Sequence, residues 1–234
     1  MAQLDMPQPL SNVVRIRSNL AINLIPDTAG VQPELAALAM RAIALCAHSD
    51  YNLGRTFVTM LGPQAAPAFA MYDAFRWSHP KTKALKAASR MVLGDEDYRI
   101  FEALLKVFGQ DAAQRNIFAH WIWAYCDEAR DYLVLVDPME PLRWETLAAH
   151  IPLGTTGALD DVLSVAKWIE RASCYSKSEL EKIVERFVDT FNSIGAFKRL
   201  IGHQALSEIS KEQQRLILAS QPRLAQALLH LDLQ

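Results

Sequence analysis

The polar side chains best suited to chemistry are concentrated in residues 114–127, which read QRNIFAHWIWAYCD. Within nine residues this stretch carries Arg115, Asn116 and His120, followed by two tryptophans. A guanidinium, an amide and an imidazole on an otherwise apolar segment cost folding free energy unless each group is paired or used. This stretch is therefore the first candidate for a functional site.

The types and spacing of these residues suit chemistry on a phosphodiester. Side chains four residues apart share one face of a helix, so Asn116 and His120 would be neighbours. Arg115 lies five residues before His120 and is rotated away from it, but its long side chain can reach round the helix. The histidine would take the proton of a ribose 2′-hydroxyl, and the arginine would neutralise charge on the phosphate. The asparagine would orient these groups or contact the phosphate, and no metal or cofactor is expected.

The motif Arg115-Asn116-Ile117-Phe118-Ala119-His120 resembles the signature of the HEPN superfamily (higher eukaryote and prokaryote nucleotide-binding). That signature is an arginine, four to six residues and a histidine, and the arginine is often followed directly by Asn, Asp or His. As in the family, the motif stands late in a predicted helical bundle. The resemblance covers residues 33–130. Some HEPN proteins that are paired with a nucleotidyltransferase carry a tyrosine two residues after the histidine, where this chain has Ile122.

The resemblance implies both a fold and an activity. HEPN proteins are up-and-down bundles of four or five helices that dimerise, and two copies of the motif meet across the interface. The site is a metal-independent endoribonuclease that leaves a 2′,3′-cyclic phosphate and a 5′-hydroxyl. Many members are toxins or defence effectors, whereas others only bind RNA or nucleotides, or scaffold partners. The expected partners are RNA, a second copy of this chain, and an antitoxin or other partner protein.

Structural roles for the same residues are the alternative. His120 can be a core histidine hydrogen-bonded to a neighbouring helix. Arg115 can pair with Asp111 along the helix, which is worth a few tenths of a kcal/mol. The protein would then be a catalytically inactive helical dimerisation or interaction module.

Two further arginine–histidine pairs show how little the spacing alone specifies. Arg41 with His48 and Arg143 with His150 each have six intervening residues, which is the longest spacing that the signature allows. Neither of these arginines is followed by a polar residue, so the asparagine after Arg115 sets the central motif apart.

Aromatic and basic residues near the motif have both functional and structural interpretations. Trp121 and Trp123 can stack on bases, but packing in a core or dimer interface is favoured for them. A basic stripe can guide RNA or simply form a solvated face, and the solvated face is favoured. Its members are Lys81, Lys83, Lys86 and Arg90.

Composition bounds the class of protein. The 234 residues are 51% hydrophobic, which is enough for a folded core, and the net charge of -2 argues against bulk electrostatic binding to duplex nucleic acid. The cysteines are Cys46, Cys126 and Cys174, without CxxC spacing, so neither zinc nor a disulfide framework is indicated. The N-terminus does not resemble a signal peptide, and the most apolar run, 35–47, is too short to span a bilayer. We expect a cytoplasmic protein without a membrane partner.

The helices and the short strand predicted around the motif indicate a mainly α fold. We expect an up-and-down helical bundle with a small β-hairpin insertion and additional C-terminal helices. Residues 1–32 are predicted to be an extended N-terminal arm and 33–131 a HEPN-like bundle. Residues 132–234 are predicted to form the hairpin and C-terminal helices packed on the bundle.

Local signals set the expected boundaries within this plan. Gly109 is predicted to end one helix, and Asp111 to cap the helix that carries the motif as far as residue 129. The run 132–136 has strand character and is expected to pair with 142–146. Residues 162–175 are left open between helix and strand. The helices are predicted over 33–61 (as one or two), 65–77, 81–92, 95–108, 111–129, 178–200 and 211–229.

Overall fold

The computed structural model describes residues 7–14, 22–24, 27–62, 65–74, 78–148, 171–202 and 210–232. It confirms a mainly α fold with a small antiparallel β element. The helices of the described residues are α1 (Leu10–Val13), α2 (Thr28–Val31), α3 (Pro33–Leu61), α4 (Ala65–Ala74), α5 (Ser78–Val92), α6 (Asp95–His120), α7 (Met139–Ala148), α8 (Lys177–Ile201), α9 (Lys211–Ser220) and α10 (Pro222–Asp232). The strands are β1 (Gln8–Pro9), β2 (Ile122–Ala124), β3 (Tyr132–Val136) and β4 (Ser173–Ser176).

The chain forms two compact units. Unit 1 contains Met1–Ile43 and Gln114–Glu185, and unit 2 contains Ala44–Ala113 and Arg186–Gln234. The unit boundaries therefore fall inside α3, α6 and α8. Each unit combines segments from more than one of the parts expected from the sequence, and that three-part division stays a prediction.

Unit 1 is built around the sheet, whose strand order is β1-β4-β3-β2 with every pairing antiparallel. Leu10 of the predicted arm is fully buried in this unit, and its amide donates to the carbonyl of Ala172 at 2.9 Å. Strand β3 lies between two neighbours and is buried from Leu133 onward. The core of unit 1 includes Leu10, Ala124, Cys126, Val134, Val136 and Cys174.

The strand over 132–136 is confirmed, but its predicted partner is wrong. Residues 142–146 lie within α7, and β3 pairs instead with β2 and β4. The predicted hairpin pairs β3 with the segment that follows it most closely. In the structure, one neighbour of β3 is β2, which precedes it, and the other is β4, which lies far along the chain. For residues 162–175 the sequence does not decide between helix and strand. The structure places 173–175 in strand β4, and 162–170 lie outside the described residues.

Unit 2 is helical, and aromatic side chains form its centre. Phe101 stacks on Phe197 with ring centroids 5.2 Å apart, and Phe57 lies 5.8 Å from Tyr72. A capping box begins α8 in unit 1, and α8 continues from there into unit 2. In this box the Ser176 amide and hydroxyl both donate to one Glu179 carboxylate oxygen, and the Glu179 amide donates back.

The predicted break near Gly109 is wrong, because α6 runs unbroken from Asp95 to His120. An interior glycine costs about 1 kcal/mol relative to alanine. That cost is smaller than the gain of about 1.5–3 kcal/mol for each large apolar side chain that the continuous helix buries on either side of Gly109, such as Phe101 and Phe118. Asp111 lies in the helix interior and caps nothing. Tertiary burial therefore overrides both the predicted helix end at Gly109 and the predicted helix start at Asp111.

Three other helix boundaries also differ from expectation. Helix α6 stops at His120 rather than at 129, because the next residues leave the helix to pair with β3. Helix α5 begins at Ser78, so His79-Pro80 lies in its first turn, where a proline loses no hydrogen bond. The expected helix over 211–229 is two helices, since Pro222 starts α10. None of the described helices has a stretch apolar enough to cross a membrane.

Candidate functional site at the end of helix α6

The predicted catalytic residues all lie in the last turns of α6, within unit 1. Arg115 is half-buried, whereas Asn116 and His120 are exposed, and His120 is the last residue of the helix. The helix interior faces the other way, since Phe118 is 1% exposed. Asn116 and His120 therefore lie on the solvent-exposed side of the helix end, whereas Arg115 is only partly accessible.

Contacts with the sheet hold this helix end in place. The Gln114 amide nitrogen donates to the Tyr175 hydroxyl oxygen at 2.9 Å. The ring of Phe118 meets the Tyr175 ring edge-on, with centroids 5.2 Å apart. The indole of Trp123 donates to the carbonyl of Phe118 at 2.8 Å, which ties the helix end to β2. The backbone that carries Arg115 and His120 is thus fixed on two strands.

Helix geometry decides which of these side chains share a face. At 3.6 residues per turn, Asn116 and His120 are separated by about 40° around the axis. Arg115 and His120 are separated by about 140°. The asparagine and histidine are therefore neighbours, whereas the arginine and histidine of one copy point to different sides of the helix.

The structure shows neither of the alternative structural roles, which were an ion pair of Arg115 with Asp111 and a core position for His120. Within the described ranges, neither side chain forms a hydrogen bond or ion pair. The carboxylate of Asp111 is bound instead in unit 2, where Arg223 donates to its two oxygens at 2.7 and 3.1 Å and Thr190 donates at 2.6 Å. His120 is exposed rather than a core residue. Among the residues that the structure describes, nothing occupies the hydrogen-bonding groups of Arg115 or His120.

The residues that follow the motif serve the fold. Trp121 and Trp123 are half-buried, and the only nitrogen donor of the Trp123 indole is used on Phe118. The Cys126 thiol donates to a Glu128 carboxylate oxygen at 3.4 Å, and burial is the main cause that raises the pKa of this thiol. Among the described residues no group of three or more His, Cys, Asp or Glu side chains is placed to hold a metal ion.

Two of the four members of the basic stripe on α5 are paired with carboxylates inside unit 2. Lys81 pairs with Asp50 at 3.5 Å, and its ammonium also lies 4.7 Å from the centre of the Tyr72 ring. Lys86 pairs with Glu102 at 2.8 Å. These contacts favour the predicted solvated face over an RNA-guiding track.

A second polar region was missed by the sequence interpretation. Unit 2 has a cavity of about 430 Å³ beside the last turns of α3 and α8, with Lys198 and Arg199 in its wall. The lysine–arginine pair at a helix end is visible in the sequence. It is also the usual way to offset a helix dipole, so the sequence alone gave no reason to single it out.

No protein-family model, curated protein or solved structure matches this chain. The resemblance to HEPN proteins thus continues to depend on the motif itself and on its place in the chain.

Proposed function

We propose that the chain is a HEPN-like protein that acts on RNA as a metal-independent endoribonuclease, of the toxin or defence type. One observation carries the proposal. Arg115, Asn116 and His120 all lie at a helix end that the sheet holds in place, and none of their side chains has a hydrogen-bond partner among the described residues. A polar set of this kind, unpaired on a fixed backbone, suits a binding or catalytic site.

The chemistry assigns each side chain a role. Neutral His120 takes the proton from a ribose 2′-hydroxyl, and the 2′-oxygen attacks the adjacent phosphorus. The bond from phosphorus to the 5′-oxygen breaks, and that oxygen receives a proton from an imidazolium or from water. Arg115 neutralises the charge that builds on the phosphate, and Asn116 orients its neighbour His120. The products are a 2′,3′-cyclic phosphate and a 5′-hydroxyl.

A dimer supplies the geometry that one helix lacks. Because Arg115 and His120 of one copy are about 140° apart around α6, a homodimer that juxtaposes two such helix ends can place the arginine of one copy beside the histidine of the other. Such an interface is isologous, so each dimer has two equivalent sites.

The first test is RNA cleavage in EDTA by purified wild type, Arg115→Ala and His120→Ala, with folding checked by circular dichroism. The matched controls are Arg41→Ala and His48→Ala, which remove the same side-chain types from exposed positions on α3 at similar spacing. We expect cleavage by wild type and both controls and its loss in the two motif variants. An inactive wild type would favour an interaction module, and cleavage by folded motif variants would place the site elsewhere.

The second test asks whether two copies share the site. Mixing Arg115→Ala with His120→Ala under conditions that exchange subunits gives hybrid dimers with one intact arginine–histidine pair. Because half of the dimers are hybrids with one of two sites restored, we expect about a quarter of wild-type activity. A mixture as inactive as its components would show that the pair acts within one copy.

A further inference from the structure

The cavity in unit 2 has the size and lining of a small-molecule site. Its volume of about 430 Å³ lies in the range of about 300–1,000 Å³ that is typical of ligand pockets. It lies beside the last turns of α3 and α8. Its wall includes the amides of Asn52 and Asn192, the hydroxyl of Thr59, the ring of Phe191 and the cations of Lys198 and Arg199.

Positive charge accumulates at this cavity without a matching carboxylate. Burial is the main cause that lowers the pKa of Lys198, and the nearby positive charges of Arg55 and Arg199 lower it further. In the part of the chain that the structure describes, no carboxylate forms an ion pair with any of them. Two lysines of α5 contrast with this cluster, because Lys81 and Lys86 each have an acidic partner.

The helix dipoles account for only part of this charge. A helix C-terminus carries about half a negative elementary charge. The ends of α3 and α8 together therefore offset about one cation, and three are present. At the end of α8 the Gly202 amide already donates to the Lys198 carbonyl at 3.1 Å. The described cations around the cavity therefore carry more positive charge than the two helix ends offset.

The other wall groups are free to contact a ligand. Neither Asn52 nor Asn192 uses its side-chain amide in a hydrogen bond within the described residues. The Thr59 hydroxyl donates to the Arg55 carbonyl at 3.0 Å, which leaves its oxygen as an acceptor. Phe191 is half-buried and offers an apolar ring to a ligand. The wall thus combines cations, amides and one aromatic surface.

Gly195 keeps the cavity open. It lies inside α8, where glycine costs about 1 kcal/mol relative to alanine. A methyl group there would meet only Arg199, at 3.8 Å, so packing does not demand a glycine. The position sits in the cavity wall, and a side chain on it would take up space that a ligand needs.

We propose that this cavity binds a small phosphorylated molecule, with the phosphate on Lys198 and Arg199 and the remainder of the ligand against Phe191 and the two asparagine amides. A phosphate supplies the negative charge that the cluster lacks, and guanidinium and ammonium groups are its usual protein partners. The site is separate from the helix end that carries Arg115 and His120, and it does not depend on the function proposed for them.

The test is titration calorimetry at low salt with adenosine 5′-monophosphate, pyrophosphate and adenosine. We expect saturable binding of at least one of the two phosphorylated probes and none of adenosine. Lys198→Gln and Arg199→Gln should each weaken that binding at least tenfold, whereas Lys83→Gln, an exposed lysine of α5 in the same unit, should not. Gly195→Leu keeps every charge but fills the cavity, and it should also abolish binding.

Three results would overturn the proposal. The first is no saturable binding of either phosphorylated probe at millimolar concentration. The second is binding that Lys198→Gln and Arg199→Gln leave unchanged. The third is binding that survives Gly195→Leu, which would mean that anions collect on the surface charge and do not enter the cavity. RNA cleavage by the same variants should equal that of wild type, so the two proposals fail separately.

Discussion

Removing Arg223 should destabilise unit 2 far more than removing an exposed arginine, because Arg223 neutralises a buried carboxylate. The Asp111 side chain is 5% exposed and that of Arg223 22%, with the closest contact at 2.7 Å. The Arg223 guanidinium also donates to the Thr190 hydroxyl at 2.9 Å. Arg223→Met keeps most of the aliphatic stem but leaves the Asp111 charge with one remaining donor.

The magnitude follows from the burial of the pair. Breaking a fully buried ion pair by removing one partner costs about 3–5 kcal/mol. Since Arg223 is partly exposed, water can reach the vacated space, and we expect a loss of about 2–4 kcal/mol in the free energy of unfolding. The exposed pair of Arg130 and Asp127, at 3.9 Å with both side chains 69% exposed, serves as the control. Arg130→Met should cost less than about 1 kcal/mol.

The assay is urea denaturation followed by circular dichroism, for wild type, Arg223→Met, Arg130→Met and the double variant Asp111→Asn/Arg223→Met. The double variant removes the uncompensated charge, so it should recover part of the stability that Arg223→Met loses. Equal small losses for Arg223→Met and Arg130→Met would refute the reasoning, since they would mean that the Asp111 carboxylate gains nothing from its buried partner.

Two further predictions concern unit 2. Burial alone would raise the pKa of Asp97, but hydrogen bonds from Arg215 and Lys211 lower it overall. Its ionised form therefore adds stability above the unfolded pKa of about 3.9, which is lost as pH falls through the lower folded pKa. The stability advantage of wild type over Asp97→Asn in urea should shrink below about pH 4, and an advantage that is constant with pH would contradict this. Gly109→Ala should raise the free energy of unfolding by about 1 kcal/mol, because nothing lies within 4 Å of the added methyl group. Gly62→Ala should not, since Gly62 has a φ of 49°, and equal gains at both glycines would refute the conformational argument.

The local elements were largely predictable because short-range rules set them. Pro33 begins α3 as a proline at a helix start should, and the Ser176–Glu179 box begins α8. The valine- and leucine-rich run of β3 has strand character, and the structure places it in the sheet. In each of these cases the residues that determine the element lie within a few positions of one another in the sequence, so a local pattern predicts it.

The errors came from contacts between distant parts of the chain. Gly109 and Asp111 resemble a helix stop and a cap, but the partner of Asp111 is 112 residues away in sequence. The second neighbour of β3 is also distant: Leu133 pairs with Tyr175 rather than with a residue of 142–146. Short-range sequence patterns do not predict such pairings.

The candidate site was predictable only in part. The types and spacing of Arg115 and His120 are in the sequence, but their accessibility depends on which face of α6 meets the sheet through Tyr175. The cation cluster around Lys198 requires α3 and α8 to end at the same cavity. No periodicity in either segment predicts that.

The most direct test of the central claim compares two substrates in EDTA, an RNA that wild type cleaves and the same sequence with 2′-deoxyribose at the cleaved position. If His120 activates the 2′-hydroxyl, only the all-ribose strand is cut, it carries a 2′,3′-cyclic phosphate, and the His120→Ala variant cuts neither strand. Cleavage of the deoxy-substituted strand, or cleavage that disappears in EDTA, would contradict the proposed mechanism. Failure of wild type to cut any of several RNAs would leave the end of α6 as an interaction surface.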